Sequence, residues 1–321
     1  MEYICPICLM KKNGTQEHIV PYTLGGSLTI PYVCKGCNSE MGEKIDAPFV
    51  DAIYNRLGRL QFNISGRGGA KISCIYSGAN GELPDCGAKF CGDRDGQPNI
   101  YQKINVEVSD KGIRVNAVFP PWSDQQRIYG AVKKAVLEAL REKEPTAPQD
   151  FLERQAENVA KQTYGQGRVE STNKVILHDK IDLGIQSLEF VKIAYETAVH
   201  IFGEEYYVNS RTASILRGAI KLANGEACVH GQIFVCDKNI KEFLDKLAEN
   251  TSHVIVVIGG KALISVFGVC AVICFEETDS RFMVTEQDAR FYKLDFNERK
   301  CSEGKLTEWL EKHPGVSLFS S

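Results

Sequence analysis

Apolar and polar positions along this 321-residue chain change period several times, and each change marks a new type of predicted element. Short alternating runs bounded by turn residues cover residues 71–121 and predict an antiparallel sheet. Over residues 124–144 the apolar side chains recur on one helical face, which predicts an amphipathic helix. Further helices are predicted over residues 148–165, 188–203 and 210–225, and strands again from about residue 228.

Two boundary features refine this pattern. The helices predicted at 188–203 and 210–225 each end at a glycine, as is typical of a left-handed C-cap. The apolar stretch 253–275 is long enough to cross a bilayer, but its Gly-Gly-Lys interruption and its Val and Ile content favour buried strands joined by a turn. We therefore predict no transmembrane helix and no membrane partner.

The first 60 residues differ from the remainder in their Cys, His and Gly-Gly content. The glycine-rich segment SGRGGA, residues 65–70, is typical of a linker or turn. We therefore predict an α+β protein with two parts. Residues 1–65 form a small module, and residues 66–321 form a larger α+β domain with antiparallel strands and several helices. For the larger domain we expect a role in target recognition, sensing or oligomerisation.

Composition and charge place few limits on function. The chain is 43% hydrophobic and 25% charged, with a formal net charge of -3, which is typical of a globular protein. No global positive field indicates a nucleic-acid partner, so such binding would need a local patch. The N-terminal residues MEYICPICLM lack the pattern of a signal peptide, and we expect a cytoplasmic protein. Its twelve cysteines are then expected to be metal ligands or buried thiols rather than disulfides.

Four cysteines near the N-terminus have the spacing of metal ligands. Cys5 and Cys8 form one Cys-x-x-Cys pair, and Cys34 and Cys37 form another. Together they predict a closed four-thiolate shell for a structural Zn²⁺, which has no open position for water. The alternative is a set of unmetallated core or redox thiols.

Between and just after these pairs lie residues suited to hydrolysis. His18 can act as a general base near neutral pH, while the Glu17 carboxylate and the Asn38 carboxamide suit a hard divalent cation that keeps several waters. The zinc would hold both ends of the intervening loop and bring Asn38 back beside Glu17 and His18. These are the parts of a metal-assisted phosphodiester hydrolase.

The strings CPIC, EHIVPYTLGG and CKGCNSEMG together resemble the HNH endonuclease family, in its subgroup with two zinc knuckles flanking a ββα-metal motif. The resemblance covers about residues 5–50. It implies that Glu17 and Asn38 hold one Mg²⁺ or Mn²⁺, and that His18 takes a proton from the water that attacks the phosphate of DNA. Glu17 stands where the family more often has Asp.

One position departs further from the family. Thr29 stands where the family has its middle Asn, which usually orients the histidine. Thr29 is expected to orient His18 through its hydroxyl or its backbone carbonyl. If it does not, the module is a non-catalytic zinc domain that binds nucleic acid or a protein partner.

The adjacency of Glu17 and His18 raises a geometric requirement. Neighbouring side chains on a regular strand point to opposite faces, so both reach one ion only where the strand ends or twists. Pro21 and the Gly25-Gly26 turn are suited to such an irregularity. Asn38 is expected near the start of a following helix, where its amide is held or caps the helix, and Pro48 is expected to end or kink that helix.

Other candidate residues stay open. A second zinc site at Cys74, Cys86 and Cys91, or at Cys228, His230 and Cys236, is less favoured than singly buried cysteines. His200 is expected to pack rather than react. Phosphate contact and plain solvated surface are both open for the basic residues near the module, which are Lys11, Lys12, Lys35, Lys44, Arg56 and Arg59.

The expected function follows from the module. A single HNH site nicks one strand, so cutting both strands would require a homodimer or successive events. The layout of a nuclease module fused to a larger part favours a restriction or phage-defence nuclease.

Overall fold

The computed structural model describes residues 2–69, 80–83, 88–92, 98–100, 102–110, 112–119, 123–165, 176–178, 182–223, 233–234 and 236–314. The chain forms two compact units. Unit 1 combines residues 1–72 with 181–321, and unit 2 comprises residues 73–180. The predicted boundary between a module of residues 1–65 and a larger domain stays a prediction. Residues 1–72 and 181–321 together form one of the two compact units.

The N-terminal part of unit 1 is a three-stranded antiparallel sheet followed by a helical segment. Its strands lie in the order β1-β2-β3. The strands and helices, in chain order, are β1 (Glu2–Ile4), β2 (Lys11–His18), β3 (Thr29–Cys34), α1 (Lys35–Met41), α2 (Ala47–Asp51) and α3 (Ile53–Gln61).

A π-helical turn, Gly42–Asp46, joins α1 to α2 without a break in helical dihedrals. The predicted end of this helix at Pro48 is wrong, because Pro48 lies in the first turn of α2. Proline lacks an N–H, but the first turn of a helix does not require that donor. The interruption comes instead at Ala52, whose ψ of 141° is extended.

Unit 2 contains a four-stranded antiparallel sheet, a two-stranded hairpin and two long helices. The hairpin and the helices confirm the predictions for residues 102–119, 124–144 and 148–165, while the predicted run 71–76 lies outside the described residues. Val132 and Val136 face Leu152 and Ala156 in one apolar cluster between the helices. The elements are β4 (Asn80–Leu83), β5 (Ala88–Gly92), β6 (Pro98–Ile100), β7 (Lys103–Ser109), β8 (Gly112–Val118), α4 (Gln125–Lys143), α5 (Gln149–Gly165) and β9 (Ile176–His178).

The C-terminal part of unit 1 is a six-stranded antiparallel sheet with helices. The strand order is β10-β13-β12-β11-β14-β15. The elements are α6 (Leu183–Phe202), α7 (Glu204–Asn209), α8 (Arg211–Leu222), β10 (Ile233–Phe234), α9 (Lys238–Ala248), β11 (Ser252–Ile258), β12 (Lys261–Val266), β13 (Val269–Cys274), β14 (Arg290–Asp295), β15 (Lys300–Lys305) and α10 (Leu306–Lys312).

Strands β11, β12 and β13 cover the apolar stretch 253–275 and confirm that it forms buried strands. Among the described residues, no helix combines the length and the apolarity that crossing a bilayer requires. The return to strands after residue 228 was incomplete as a prediction, because α9 and α10 interrupt them.

Helix α6 is the centre of unit 1. Twelve consecutive residues, from Leu188 to Val199, are buried, and a helix that is buried on all sides is a core element. It contacts β3 and α2 of the N-terminal part, and β12 and β13 of the sheet. One apolar core therefore runs from Cys5 through α6 to Leu294.

The two predicted glycine caps have different outcomes. Gly203 follows α6 with φ 65° and ψ -152°, a backbone conformation that glycine adopts readily but that is not left-handed helical. Gly225 lies outside the described residues. Helix α8 ends earlier, at Leu222, and Ala223 takes the left-handed conformation after it.

Candidate functional site

The four predicted zinc ligands come together at one point of the N-terminal part. The Sγ atoms of Cys5, Cys8, Cys34 and Cys37 all lie within 4.8 Å of one another, and Cys8 Sγ lies 3.9 Å from Cys34 Sγ. Thiolates around a tetrahedral Zn²⁺ with ~2.3 Å bonds lie about 3.8 Å apart. The donor set and its spacing therefore fit a structural zinc ion.

Local structure prepares these thiols for a metal. Cys34 ends β3 and caps α1, and its backbone N–H donates to Cys5 Sγ at 3.4 Å. Burial works against ionisation of Cys34, but hydrogen bonds from the Cys37 backbone and from the neighbouring thiols lower its pKa to about 7. Burial raises the pKa of the Cys5 thiol. An enclosed divalent cation would supply the charge that keeps the buried thiols ionised.

Glu17 and His18 are the last two residues of β2. The pairing of β2 with β3 shifts at this point, since Thr15 pairs with Val33 but Glu17 pairs with Ile30. A β-bulge of this kind bends the strand and redirects its side chains. Strand β2 therefore ends and twists at Glu17 and His18, the irregularity that two adjacent residues need to face one site. Both residues line one cavity of about 270 Å³.

Asn38 lines the same cavity from the fourth position of α1. Its Nδ2 donates to Thr15 Oγ1 at 3.1 Å and to the Gln16 carbonyl oxygen at 3.2 Å. The amide is held as expected, but the helix is capped by Cys34 and not by Asn38. Because Nδ2 serves the strand, the side chain offers its Oδ1 as a ligand oxygen.

Thr29 pairs directly with His18 in the register of β2 and β3. Its Oγ1 accepts a hydrogen bond from Gln16 Nε2 at 3.3 Å. It lies outside the set of residues that line the cavity. An orienting role for Thr29 therefore stays a prediction, which its position opposite His18 in the sheet supports.

His18 is held by residues from both ends of unit 1. Its ring packs edge-on against Tyr22 at a centroid distance of 5.2 Å. The guanidinium of Arg299 lies over the Tyr22 ring, 4.0 Å from its centroid. It also donates a hydrogen bond to the Tyr22 carbonyl oxygen at 2.7 Å. Lys192 Nζ donates to the His18 carbonyl oxygen at 3.4 Å. The backbone and the ring are thus both positioned.

Lys192, on α6, is a site residue that sequence reasoning missed. Its side chain is fully buried, and its Nζ lies 3.2 Å from Glu17 Oε1 and 2.7 Å from Asp46 Oδ1. The carboxylates of Glu189 and Glu196, on the same helix, lie 3.6 Å and 3.9 Å from it. Four carboxyl groups therefore surround one ammonium directly behind the cavity.

Burial and charge act in opposite directions on the ionisation of this cluster. Burial works against the Lys192 ammonium, but the surrounding carboxylates, Asp46 first, raise its pKa well above the usual value. Burial raises the pKa of Glu189 and of Glu196 well above the usual range, although Lys192 opposes this. Lys192 therefore stays charged, and the two α6 carboxyls favour their protonated forms.

Asp46 also lines the cavity, together with Asp51. Asn38 and Asp46 are eight positions apart, and a regular α-helix would place them about 80° apart around the axis. The π turn inserts one extra residue, so the same eight positions span about two full turns. Asp46 is thereby brought onto the face of the helical segment that carries Asn38.

The remaining candidates are less prominent. Cys74, Cys86, Cys228 and His230 lie outside the described residues, so neither second zinc site is tested there. His200 packs edge-on against Tyr292 at 5.7 Å, in agreement with a packing role.

Among the basic candidates, Lys11 and Lys44 form exposed ion pairs with Glu2 and Glu40. Arg59 is buried, and its Nε has no hydrogen-bond partner within the part of the chain that the structure describes.

In the N-terminal part, strands β2 and β3 and helix α1 thus place an acid, an imidazole and a carboxamide beside the four-cysteine cluster. Residues 3–53 match the family model of HNH endonuclease, which confirms the resemblance predicted for the module. No curated protein and no solved structure matches the chain.

Proposed function

We propose that the protein is a metal-dependent DNA endonuclease whose catalytic site is the HNH module. The observation that carries this proposal is that Glu17, His18 and Asn38 line one cavity beside the four-cysteine cluster. The family match at residues 3–53 supports a nucleic-acid substrate. DNA rather than RNA, a cytoplasmic location and a role in restriction or phage defence are finer parts of the same proposal.

His18 is the proposed general base. A neutral imidazole accepts the proton of the attacking water, and the Tyr22 ring and the Lys192 contact hold the side chain and backbone in place for this. Glu17 and Asn38 are the proposed oxygen ligands of a Mg²⁺ or Mn²⁺ ion. When bound, such an ion supplies charge stabilisation for the phosphorane and for the leaving 3′ oxygen.

The structural zinc has a separate role. The thiolates of Cys5, Cys8, Cys34 and Cys37 would close the coordination shell of this ion, so it would activate no water itself. Cys34 ends β3 and Cys37 lies in the first turn of α1, which fixes the position of Asn38 directly after Cys37. The zinc thereby supports the arrangement of the site without entering the chemistry.

The test is nicking of supercoiled plasmid by zinc-loaded full-length protein, with Mg²⁺ or Mn²⁺ and with chelator-treated buffer. Metal-dependent nicking that falls at least a hundredfold in His18→Ala, with folding retained, supports the proposal. His200→Ala is the matched control and should cut at the native rate. Native-rate cutting by His18→Ala would reject the general-base role.

A non-catalytic zinc module is the alternative. The replacement of the middle Asn by Thr29, whose hydroxyl binds Gln16 and lies outside the cavity, is the observation that favours it. In that case zinc-loaded protein binds DNA or a protein partner but nicks neither DNA nor RNA under any divalent ion. Sedimentation of the same sample would show whether a homodimer forms, as cutting of both strands requires.

A further inference from the structure

We infer that Asp46 is a ligand of the module's divalent ion beside Glu17 and Asn38, an inference that rests on the proposed nuclease function. Asp46 follows the recognised sequence strings and was not among the predicted site residues. It lines the same cavity as Glu17, His18 and Asn38, and the π turn places it on the face of Asn38. π turns inside α-helices occur frequently at functional sites.

Charge is the first reason to include Asp46. The Glu17 carboxylate is 4% exposed and paired with Lys192, so it brings little net negative charge to the cavity. Asn38 is neutral. A Mg²⁺ or Mn²⁺ ion held in proteins beside substrate phosphates usually has one or two carboxylate ligands. Asp46 supplies a second carboxylate, and with it the site carries net negative charge.

Geometry is the second reason. Lys192 Nζ contacts Glu17 and Asp46 at the same time, and this shared ammonium fixes the two carboxylates close together. The Asp46 side chain is 21% exposed, whereas Glu17, Glu189 and Glu196 are nearly or fully buried. Asp46 is therefore the carboxylate of the cluster with the most open access to an ion in the cavity.

The interior behind the cavity gives independent support for a cation. The carboxylate oxygens of Glu189 and Glu196 are buried and find no hydrogen-bond donor within the described residues. Both side chains lie close to Lys192, at 3.6 Å and 3.9 Å from its Nζ. One ammonium thus serves four carboxyl groups, and a divalent cation at Glu17 and Asp46 would add positive charge that this cluster lacks.

The experiment measures Mn²⁺ binding rather than cutting. Zinc-loaded full-length protein is titrated with Mn²⁺ in the absence of DNA, and free Mn²⁺ is followed by electron paramagnetic resonance. Wild type should bind one Mn²⁺ per chain, and Asp46→Asn should weaken the Kd at least tenfold. Asp51→Asn, at a carboxylate that lines the same cavity without contacting Lys192, is the matched control and should change the Kd less than threefold.

Glu17→Gln separates this inference from the proposed function. Loss of Mn²⁺ binding in Glu17→Gln, with wild-type affinity in Asp46→Asn, overturns the Asp46 assignment and leaves the nuclease proposal standing. If Asp46→Asn and Asp51→Asn weaken Mn²⁺ binding equally, the Asp46 assignment is also overturned, because the total negative charge of the cavity would then explain both effects. Absence of Mn²⁺ binding by wild type overturns both proposals.

A second measurement uses only wild-type protein, so it does not depend on whether a variant folds. In wild-type protein labelled with ¹³C at the aspartate carboxyl carbons, the Asp46 signal should broaden beyond detection at less than one equivalent of Mn²⁺. The same titration with diamagnetic Mg²⁺ is the reference, and there the Asp46 signal should persist. Persistence of the Asp46 signal while Mn²⁺ is bound overturns the assignment.

Discussion

The hydroxyl of Tyr195 donates a hydrogen bond to the Pro6 carbonyl oxygen at 2.5 Å, across 189 residues of sequence. Pro6 lies inside the first Cys-x-x-Cys pair. Tyr207 repeats the arrangement by donating to the Ile4 carbonyl oxygen at 2.8 Å. The first zinc knuckle is therefore held by α6 and α7 as well as by its metal, which couples the module to the distant part of unit 1.

A fragment of residues 1–65 should fold poorly on its own. It loses the tyrosine contacts and the packing of Phe49 on Phe190, whose ring centroids lie 5.9 Å apart. It also exposes Ile30, Ile45 and other side chains that are fully buried in unit 1. We expect zinc binding with weak near-ultraviolet circular dichroism and no cooperative unfolding transition. A cooperative transition like that of full-length protein would show that the module is autonomous.

Loss of a zinc ligand should unfold the N-terminal part. Structural zinc contributes about 10–16 kcal/mol of binding free energy at neutral pH, which is as large as the stability of a typical domain. Cys5→Ser should therefore lose its zinc and most of its cooperative unfolding signal. Cys301→Ser, at an exposed thiol of β15, is the control and should retain one zinc per chain by elemental analysis. Equal zinc content in the two variants would contradict the four-thiolate assignment.

Lys192→Met should destabilise the protein strongly. The change leaves the carboxylates of Glu17 and Asp46 without their ammonium, and breaking a buried ion pair costs about 3–5 kcal/mol. Lys44→Met breaks a surface pair with Glu40, where both side chains are more than half exposed, and should leave the free energy of unfolding nearly unchanged. Urea unfolding measures both. If unpaired carboxylates cause the loss of stability in Lys192→Met, the double variant Lys192→Met/Glu17→Gln should recover part of the lost free energy of unfolding.

Stability should fall below neutral pH because of His253. Its ring is fully buried against the Leu24 carbonyl oxygen, and burial lowers its pKa to about 4. In the unfolded chain a histidine has a pKa near 6.5, so only the unfolded state gains this proton as pH falls from about 6.5 to about 4. The contribution is complete above about pH 6.5, and about 3 kcal/mol is lost across that window.

The measurement for His253 is the free energy of unfolding in urea at several pH values. His253→Gln should be less stable at pH 7, but its stability should decline less steeply between pH 6.5 and pH 4. His313→Gln, at an exposed histidine, should keep the wild-type slope. Equal slopes in wild type and His253→Gln would contradict a buried neutral histidine.

Short sequence patterns predicted many of the site residues. The two Cys-x-x-Cys pairs, the Glu17-His18 step and Asn38 could be predicted because a short loop closed by zinc brings them together. Helical patterns in the sequence also predicted α4, α5, α6 and α8. The helix α9 has the same signal, with Ile240, Phe243, Leu244 and Leu247 on one face, and was recoverable from the sequence.

Lys192 and Asp46 could not be placed in the same way. Lys192 and Asp46 are 146 residues apart in the sequence, and the spacing of apolar residues within one element does not predict so distant a contact. The phase of Asp46 depends on a π turn that composition does not predict. One signal was present, since Glu189, Lys192 and Glu196 recur at helical spacing inside an otherwise apolar helix. Charges at those positions on a buried helix indicate a polar partner from elsewhere in the chain.

The discontinuity of unit 1 has a consequence for biosynthesis. Residues 73–180 are synthesised after the module and before α6, so the ribosome makes unit 2 while Glu17 still lacks Lys192. At about 5–20 residues per second this interval lasts roughly 6–20 s. A growing chain of this protein therefore carries its cysteines and His18 early but completes their surroundings only after α6 leaves the exit tunnel. Nascent chains released before that point should lack the contacts of Lys192 with Glu17 and with the His18 carbonyl oxygen.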